Sequence, residues 1–526
     1  MARILIADTL AKQGIEMLSQ EHEVEVKTGL SEDDLVQAVA GVQALVVRSQ
    51  TQVTERVIAA ATNLEVIGRA GVGVDNIDVP AATKHGVIVV NAPLANTLST
   101  AEHAFGLMLA VARSIPQGHA SLQAGRWDRN KYMGVELAGK TLGIVGLGRI
   151  GTEVANRARA FQMRVVAYDP FVSPERATAL GVEMMELDDV LAESDFVTLH
   201  ALLHEGTRNL INAERLAKAK PGIRIINAAR GALIDEQALS DAVASGQVGG
   251  AGIDVFSTEP AVGNILTTSD KIVVTPHLAA STNEAQDRAA IDTAEQVLDV
   301  LAGRSARFAV NAPLVDPEEM AIIGPYLDAA DLAARLVSQL ADGPVQEVRV
   351  ELLGEIGTHE AGPLRTAVIG GLLARMSDAK VTVVNADQLA EQAGLRIEIE
   401  SGPAREPYAS LVVVQAVRAD DVRTVAATHN GSEVRVVGVD NYEVDLAPRA
   451  AEHVLMVENV DRPGMIGRVG SMLGQRTVNI SYMTVAAGEG DRALMVLGTD
   501  RALSDEELAE LSGVENVFGA RQLDLS

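Results

Sequence analysis

Three stretches near the middle of the chain carry the residues best able to do chemistry. Ile225-Ile226-Asn227-Ala228-Ala229-Arg230-Gly231 is an apolar, strand-like run that finishes on a guanidinium. Gly252-Ile253-Asp254-Val255-Phe256-Ser257-Thr258-Glu259-Pro260 sets two carboxylates, Asp254 and Glu259, at or just beyond the end of a second run. Val274-Thr275-Pro276-His277-Leu278 ends a third on a histidine. Open α/β sheets bind ligands outside the carboxyl ends of their strands, so these groups would share one edge. There a histidine can take the proton of a substrate hydroxyl while hydride leaves the same carbon. A carboxylate raises the basicity of the imidazole and fixes its tautomer. An arginine grips a substrate carboxylate as a bidentate fork. Singly, each has a plainer reading: a packed histidine, a solvated turn acid, a helix-capping arginine. Together, beside a nicotinamide site, they form a hydride-transfer set.

Such a site needs a dinucleotide, and residues 139–169 (GKTLGIVGLGRIGTEVANRARAFQMRVVAYD) carry the pattern for one. Residues 141–145 read as a strand. Gly146-Leu147-Gly148-Arg149-Ile150-Gly151 breaks it and opens a helix, and residues 164–168 form the next strand, ending on Asp169. Gly146 allows the tight turn, Gly148 lets backbone approach a pyrophosphate, and Gly151 lets the helix pack against the sheet. The helix N-terminus offers free N–H groups and partial positive charge to the phosphates. Asp169 is placed to accept hydrogen bonds from the adenosine ribose, and its charge would repel a 2′-phosphate. NAD is therefore expected rather than NADP. A bare glycine triplet is weak evidence, and the flanking strands, helix and terminal acid make this one specific.

The elements around these motifs predict an α/β chain of four domains. In residues 1–97, strands at 4–7, 24–27, 44–48, 66–69 and 87–91 alternate with helical stretches, a small parallel sheet. Residues 97–117 carry Leu98, Ala101, Phe105, Met108, Ala112 and Ile115 at helical period, which predicts one long helix able to bridge two lobes. Residues 125–139 read as a connector. The alternation continues over 98–282 as a Rossmann-like, doubly wound NAD domain, with further strands at 196–200, 223–229, 251–256 and 272–275. A helix is expected over 282–301. Residues 307–313 (RFAVNAP) then look like a segment returning to the first sheet. The first domain is accordingly expected to be discontinuous, 1–97 plus 283–313, and flavodoxin-like. Residues 317–450 read as an intervening α+β domain with strands at 348–353, 381–384, 395–400 and 410–417, and without a phosphate loop. Residues 452–526 read βαββαβ, a ferredoxin-like order, with Asp461 as N-cap and Pro463 in the first turn of the first helix.

Composition narrows the possibilities further. The 526 residues include 44 Lys and Arg against 71 Asp and Glu, a formal charge of −27. That excess argues against nucleic acid or an anionic membrane surface as partner, and obliges any anionic substrate to find a local basic pocket. With no cysteine, disulfides, thiolate metal sites and cysteine nucleophiles are excluded, and no metal is expected. MARILIADTL enters a strand pattern directly, without a basic segment and apolar core, so a cytoplasmic location is expected.

The segments GLGRIG, NAARGALID, GIDVFSTEP and PHLAAST resemble those of the D-isomer-specific 2-hydroxyacid dehydrogenases. RAGVGVDNID (69–78) and WDRNKYMGVEL (127–137) narrow the resemblance to the phosphoglycerate-oxidising branch. The chain length, with VDRPGMIGRVG in the last unit, is similar to the long form that carries an intervening domain and an ACT domain. That resemblance implies that residues 317–450 are a regulatory domain. The resemblance implies NAD-dependent oxidation of 3-phospho-D-glycerate to 3-phosphohydroxypyruvate, the start of serine synthesis. It implies Arg230, Glu259 and His277 as catalytic residues. Gly146, Gly148, Arg149, Ile150, Gly151, Asp169, Ala228, Ala229, Arg230, Asp254 and His277 would line NAD. It also implies L-serine as effector at Asn459, Asp461 and Asn479, bound between paired copies of the ACT domain in a homo-oligomer, a tetramer by resemblance. Three residues depart from the usual pattern: Ala279 stands where glycine is common, Ala201 where a threonine often contacts NAD, and Asn459 where an aromatic is frequent.

The residues themselves point to the same substrate. Arg48 and Arg69 each end an expected strand, and Gly71-Val72-Gly73 offers N–H groups beside them. With Asn96 and Arg129 or Lys131, they would hold a carboxylate and a phosphate against the acidic background. The plainer reading for each arginine is a surface charge. A glyoxylate or hydroxypyruvate reductase, which needs no phosphate site, and an NAD-sensing interaction protein are the alternative functions.

Overall fold

The computed structural model describes residues 1–525, apart from 314, 342, 344, 375–379, 419–420 and 448–452. The expected junction between the third and fourth units, 450–452, lies outside the described residues. Four sheets organise the chain. In the first, β1 (Arg3–Ile6), β2 (Glu23–Val26), β3 (Ala44–Val47), β4 (Val66–Arg69) and β5 (Ile88–Asn91) run parallel in the order β2-β1-β3-β4-β5. This is the flavodoxin-like order. Helix Asn283–Leu301 lays Ala289, Ala290, Ala294 and Val297 onto Ile4, Ile6 and Val46 of that sheet. Just beyond it, Ala309 bridges Val90 antiparallel, and Asn311 Oδ1 accepts the Val89 N–H at 2.8 Å.

The second sheet holds β6 (Thr141–Val145), β7 (Arg164–Tyr168), β8 (Glu183–Met184), β9 (Phe196–Leu199), β10 (Ile223–Asn227), β11 (Val248–Ile253) and β12 (Ile272–Val274). All are parallel, in the order β12-β11-β10-β9-β6-β7-β8. That is the doubly wound Rossmann arrangement, whose order reverses between β6 and β9 and leaves a crevice there. The bridging helix is shorter than its period suggested: Thr97–Arg113 ends at Ser114 (φ 48°), and a second helix, Ile115–Gln123, follows. Pro116 has no N–H for a continuing helical ladder, so the chain turns and restarts.

The third sheet contains β13 (Glu347–Gly354), β14 (Arg396–Gly402), β15 (Ser410–Arg418), β16 (Asp421–His429), β17 (Val434–Val439) and β18 (Tyr442–Leu446), ordered β14-β13-β15-β16-β17-β18. Residues 381–384 are not a strand. Thr382 N–H donates to Asn385 Oδ1 at 2.7 Å and Asn385 Nδ2 to the Lys380 carbonyl at 2.9 Å, which closes a turn before helix Ala386–Gln392. The fourth sheet is β19 (His453–Val460), β20 (Ile480–Ala487), β21 (Arg492–Thr499) and β22 (Val517–Asp524) in the order β20-β21-β19-β22, antiparallel, with two helices between its strands. This is the ferredoxin-like βαββαβ fold. Its first helix begins later than expected: Gly464 (φ 97°) is the N-cap of Met465–Gln475, so Asp461 does not cap it. The third and fourth units share one core, in which Val454, Val496 and Leu523 pack with Leu336, Val350 and Val412.

Candidate functional site

A cleft of about 680 Å³ opens between the first two sheets. It is lined on one side by Arg48, Arg69, Gly71, Val72, Gly73 and Asn96, and on the other by Arg230, Glu259 and His277. On the second side, local chemistry sets the side chains. β10 ends on buried Asn227, whose Nδ2 donates to the Arg230 carbonyl at 2.9 Å while Oδ1 accepts the Ala229 N–H at 3.1 Å. At the next position only glycine fits: a Cβ on Gly231 would lie 1.9 Å from the Phe256 carbonyl carbon. The Arg230 turn is thereby pressed against the loop that carries Glu259. Glu259 Oε1 accepts the Phe256 N–H at 3.0 Å, and Oε2 lies 2.8 Å from His277 Nδ1. A carboxylate at Nδ1 selects the tautomer whose lone pair is on Nε2, the form a base requires. His277 itself adopts φ 53°, and its N–H donates to the Asp254 carbonyl at 2.8 Å.

The opposite wall is built for anions. Arg48 is seated by its own backbone, with its N–H on Asp8 Oδ2 at 2.6 Å and its carbonyl accepting Asn76 Nδ2 at 2.8 Å. The N–H groups of Val72 and Gly73 have no protein acceptor among the described residues. Arg69 Nε and Asn96 Oδ1 are both buried without a partner among the described residues. Burial, and then the Arg230 guanidinium, lower Arg69 to about 10; Arg48 adds to the repulsion, while Asp75 and Asp8 oppose it. Arg230 Nε pairs with Asp75 Oδ2 across the cleft at 3.2 Å. Three guanidiniums facing one space, with an orphaned N–H among them, form a receptor for a multiply charged anion.

The dinucleotide motif is equally well formed. Gly146 has φ 95°, and a Cβ on Gly151 would stand 2.2 Å from the Gly146 carbonyl oxygen, so the helix could not approach with a side chain there. A Cβ on Gly148 would meet only open space, the cradle a pyrophosphate would fill. Helix Arg149–Ala160 opens directly from that glycine, with Arg149 and Ile150 in its first turn. Asp169 accepts the Leu147 N–H at 2.8 Å through Oδ2 and the Phe171 N–H at 2.9 Å through Oδ1, which holds its charge at the strand end. Asp254, expected beside NAD, follows β11 but is fully buried with its carboxylate bonded to Thr275, Leu278 and Ala279, whereas Ala228 and Ala229 follow β10 on the carboxyl edge. These groups fit NAD. Beside them burial lowers His200 to about 4, which keeps its imidazole neutral.

Two groups of expected residues are not brought together. Arg129 and Lys131 occupy an exposed turn and do not line the cleft. Asn96 stands at the start of the 17-residue helix Thr97–Arg113, which carries the chain roughly 25 Å away. The connector then returns only as far as Ala112, whose carbonyl accepts the Val135 N–H at 2.9 Å. In the last unit, Asn459 pairs with Ala493 at the start of β21, whereas Asn479 precedes β20 beside Thr499 at its end. Six residues of strand separate them, about 20 Å. Asn459 is buried with Oδ1 unpartnered among the described residues, and exposed Asp461 shares its end of the sheet. Reasoning from motifs missed Asp75, Asn227 and His103. Asp75 lies in the same RAGVGVDNID segment as Arg69, and an acid within a basic loop was its one available signal.

Known proteins resemble this chain over its whole length. Residues 105–279 match the family model for the NAD-binding domain of D-isomer-specific 2-hydroxyacid dehydrogenases. Residues 322–440 match the D-3-phosphoglycerate dehydrogenase intervening domain. The chain is 43% identical to D-3-phosphoglycerate dehydrogenase of Synechocystis, over 100% of this chain and 95% of that one. It is 40% identical to the Bacillus subtilis enzyme of the same name, over 100% of both. Among solved structures, the TT0316 protein of Thermus thermophilus aligns with TM-score 0.55 at 37% identity, over 59% of this chain and 99% of that one. D-Lactate dehydrogenase of Aquifex aeolicus, complexed with NAD and lactic acid, aligns with TM-score 0.54 at 26% identity, over 59% of this chain and 100% of that one.

Proposed function

The chain belongs to the D-3-phosphoglycerate dehydrogenases, and on that premise we propose that His277, Glu259 and Arg230 carry its chemistry. It is an oxidoreductase that uses NAD to oxidise 3-phosphoglycerate to 3-phosphohydroxypyruvate. His277 takes the C2 hydroxyl proton through Nε2, and Glu259 holds the imidazole in the required tautomer and stabilises the imidazolium that forms. Arg230 exchanges Asp75 for the substrate carboxylate and polarises the forming carbonyl. Arg48, Arg69 and the Val72 and Gly73 amides take the phosphate. Bound NAD supplies the acceptor for the hydride that leaves C2. The convergence of three guanidiniums on the His277–Glu259 pair in one cleft carries this reading.

The test is steady-state NADH absorbance with 3-phosphoglycerate and with the same hydroxy acid lacking phosphate, for the parent and His277→Ala. Preference for the phosphorylated acid and loss of turnover in His277→Ala, with NADH still bound, are expected. Equal turnover of both acids would favour a hydroxypyruvate-type reductase, and retained turnover in His277→Ala would remove it as the base.

The last unit serves as an ACT-type effector domain for L-serine. The separation of Asn459 and Asp461 from Asn479 supports a site completed only when two copies pair end to end, with serine held between them in a homo-oligomer, taken to be a tetramer. A cytoplasmic setting is part of the same proposal and suits a cysteine-free chain.

A further inference from the structure

On the second lobe, the peptide that bears His277 hangs on one buried carboxylate. Asp254 is fully buried. Its Oδ1 accepts the Thr275 hydroxyl at 2.6 Å and the Leu278 N–H at 2.7 Å, and Oδ2 accepts the Ala279 N–H at 2.9 Å. Its carbonyl accepts the His277 N–H at 2.8 Å. A single residue therefore grips the segment on both sides of the base.

A further donor reaches this carboxylate from far away in the chain. His103 Nε2 lies 3.1 Å from Asp254 Oδ1 and 3.1 Å from Thr275 Oγ1. Thr275 spends its hydroxyl proton on Asp254, so its oxygen can only accept, and a carboxylate can only accept. Nε2 faces two acceptors and must carry the ring proton there. Burial alone would raise the Asp254 carboxyl, but His103, Thr275 and the two amides hold it below the usual value. His103 belongs to helix Thr97–Arg113, which leads from Asn96 in the substrate cleft into the core of the second lobe. One turn earlier on the same face, Ser99 Oγ is 2.8 Å from Thr282 Oγ1, the cap of helix Asn283–Leu301.

We propose that His103 is a positioning residue for the dehydrogenase reaction. Its Nε2–H, shared between Asp254 and Thr275, ties the peptide carrying His277 to the helix that joins the lobes, so the base is aimed by the same element that sets the cleft. The proposal rests on His277 as the base. A half-buried histidine that merely satisfies a buried acid would serve stability alone, and the two roles separate by measurement.

The experiment compares the parent with His103→Phe, which fills space without a donor, and His103→Gln, whose amide N–H can reach the same oxygens. Turnover, KM for 3-phosphoglycerate, NADH affinity by fluorescence titration and the thermal midpoint are recorded for each. His103→Phe should lose at least tenfold in kcat, with KM and NADH affinity within threefold, and His103→Gln should recover to within threefold of the parent. Equal losses in both variants, or a kcat for His103→Phe within threefold of the parent, would overturn the proposal. So would a loss matched by weaker NADH binding and a lower thermal midpoint. If His103→Phe does not fold, His103→Asn, too short to reach, replaces it against His103→Gln. A parent unable to oxidise 3-phosphoglycerate would instead overturn the reaction itself.

Discussion

Arg69→Met separates what the cleft costs the fold from what it gives the substrate. Methionine keeps the unbranched stem and removes the charge. Burial and Arg230 lower Arg69 to about 10, which at ~1.4 kcal/mol per pH unit sets roughly 3 kcal/mol against its charged form relative to an ordinary arginine. Its Nε has no partner among the described residues to offset this. Part of the penalty survives as lost packing, so the variant should be more stable by about 1–2 kcal/mol, a thermal midpoint a few degrees higher. Between pH 10 and the ordinary guanidinium range, the unfolded parent holds a proton at this site that the folded parent has released. Stability of the parent therefore gains on the variant as pH climbs through that window. The substrate reverses the balance, because a phosphate on a buried guanidinium recovers charge-assisted hydrogen bonds of roughly 1.5–3 kcal/mol. KM for 3-phosphoglycerate should rise about 10- to 150-fold. Thermal melts with and without 3-phosphoglycerate, beside NADH-absorbance kinetics, measure both effects. A variant that melts below the parent while keeping its KM would refute the assignment of Arg69 to a strained anion receptor.

The remaining predictions concern the loop, the cofactor lobe and the last unit. Gly231→Ala should cost roughly 3 kcal/mol or more and at least a hundredfold in turnover, since its Cβ would lie 1.9 Å from the Phe256 carbonyl carbon, a backbone atom that cannot swing aside. Thermal melts and kcat read this. His200, lowered from 6.5 to about 4 by burial, binds a proton in the unfolded chain that the folded chain refuses. Stability should fall as pH drops from 6.5 to 4, by at most about 3 kcal/mol from this group, and His200→Gln should flatten that part of a denaturant-midpoint profile. Asp461→Ala and Asn479→Ala should each raise the serine concentration for half-inhibition at least tenfold. Mixed assemblies of the two variants should regain part of it, since pairing one of each leaves one intact site; no recovery would place both residues in one copy's site. Deleting the whole unit would test this poorly, because Val454, Val496 and Leu523 cover the core of the third unit.

Much of the second lobe was legible because its signals are local. A strand that runs out on a glycine turn must present the next side chain at the sheet's carboxyl edge. Three parallel strands running out toward Arg230, Glu259 and His277 therefore present them to one crevice wherever the rest of the chain goes. Asp254, just past the middle strand, instead turns inward and is fully buried. The dinucleotide turn was readable for the same reason, since close approach at Gly146 and Gly151 tolerates no Cβ. The stop at Ser114 was less visible because apolar period continues through Ile115, and the turn at 381–384 because Val381, Val383 and Val384 carry strand propensity that the Asn385 hydrogen bonds override.

Only the tertiary structure decided how the lobes meet. Asp75 and Arg230 are separated by 155 positions, and His103 and Asp254 by 151. No period or spacing relates them, and their contact depends on how two independently formed sheets pack about one helix. Arg129 and Lys131 were carried away from this chain's own cleft by the length of that same helix, and Asn459 and Asn479 were parted by strand register. The sequence by itself determined the chemistry at each strand end, because backbone geometry acts over a few residues. Which ends face one another was settled by burial of whole surfaces, a property no single segment holds.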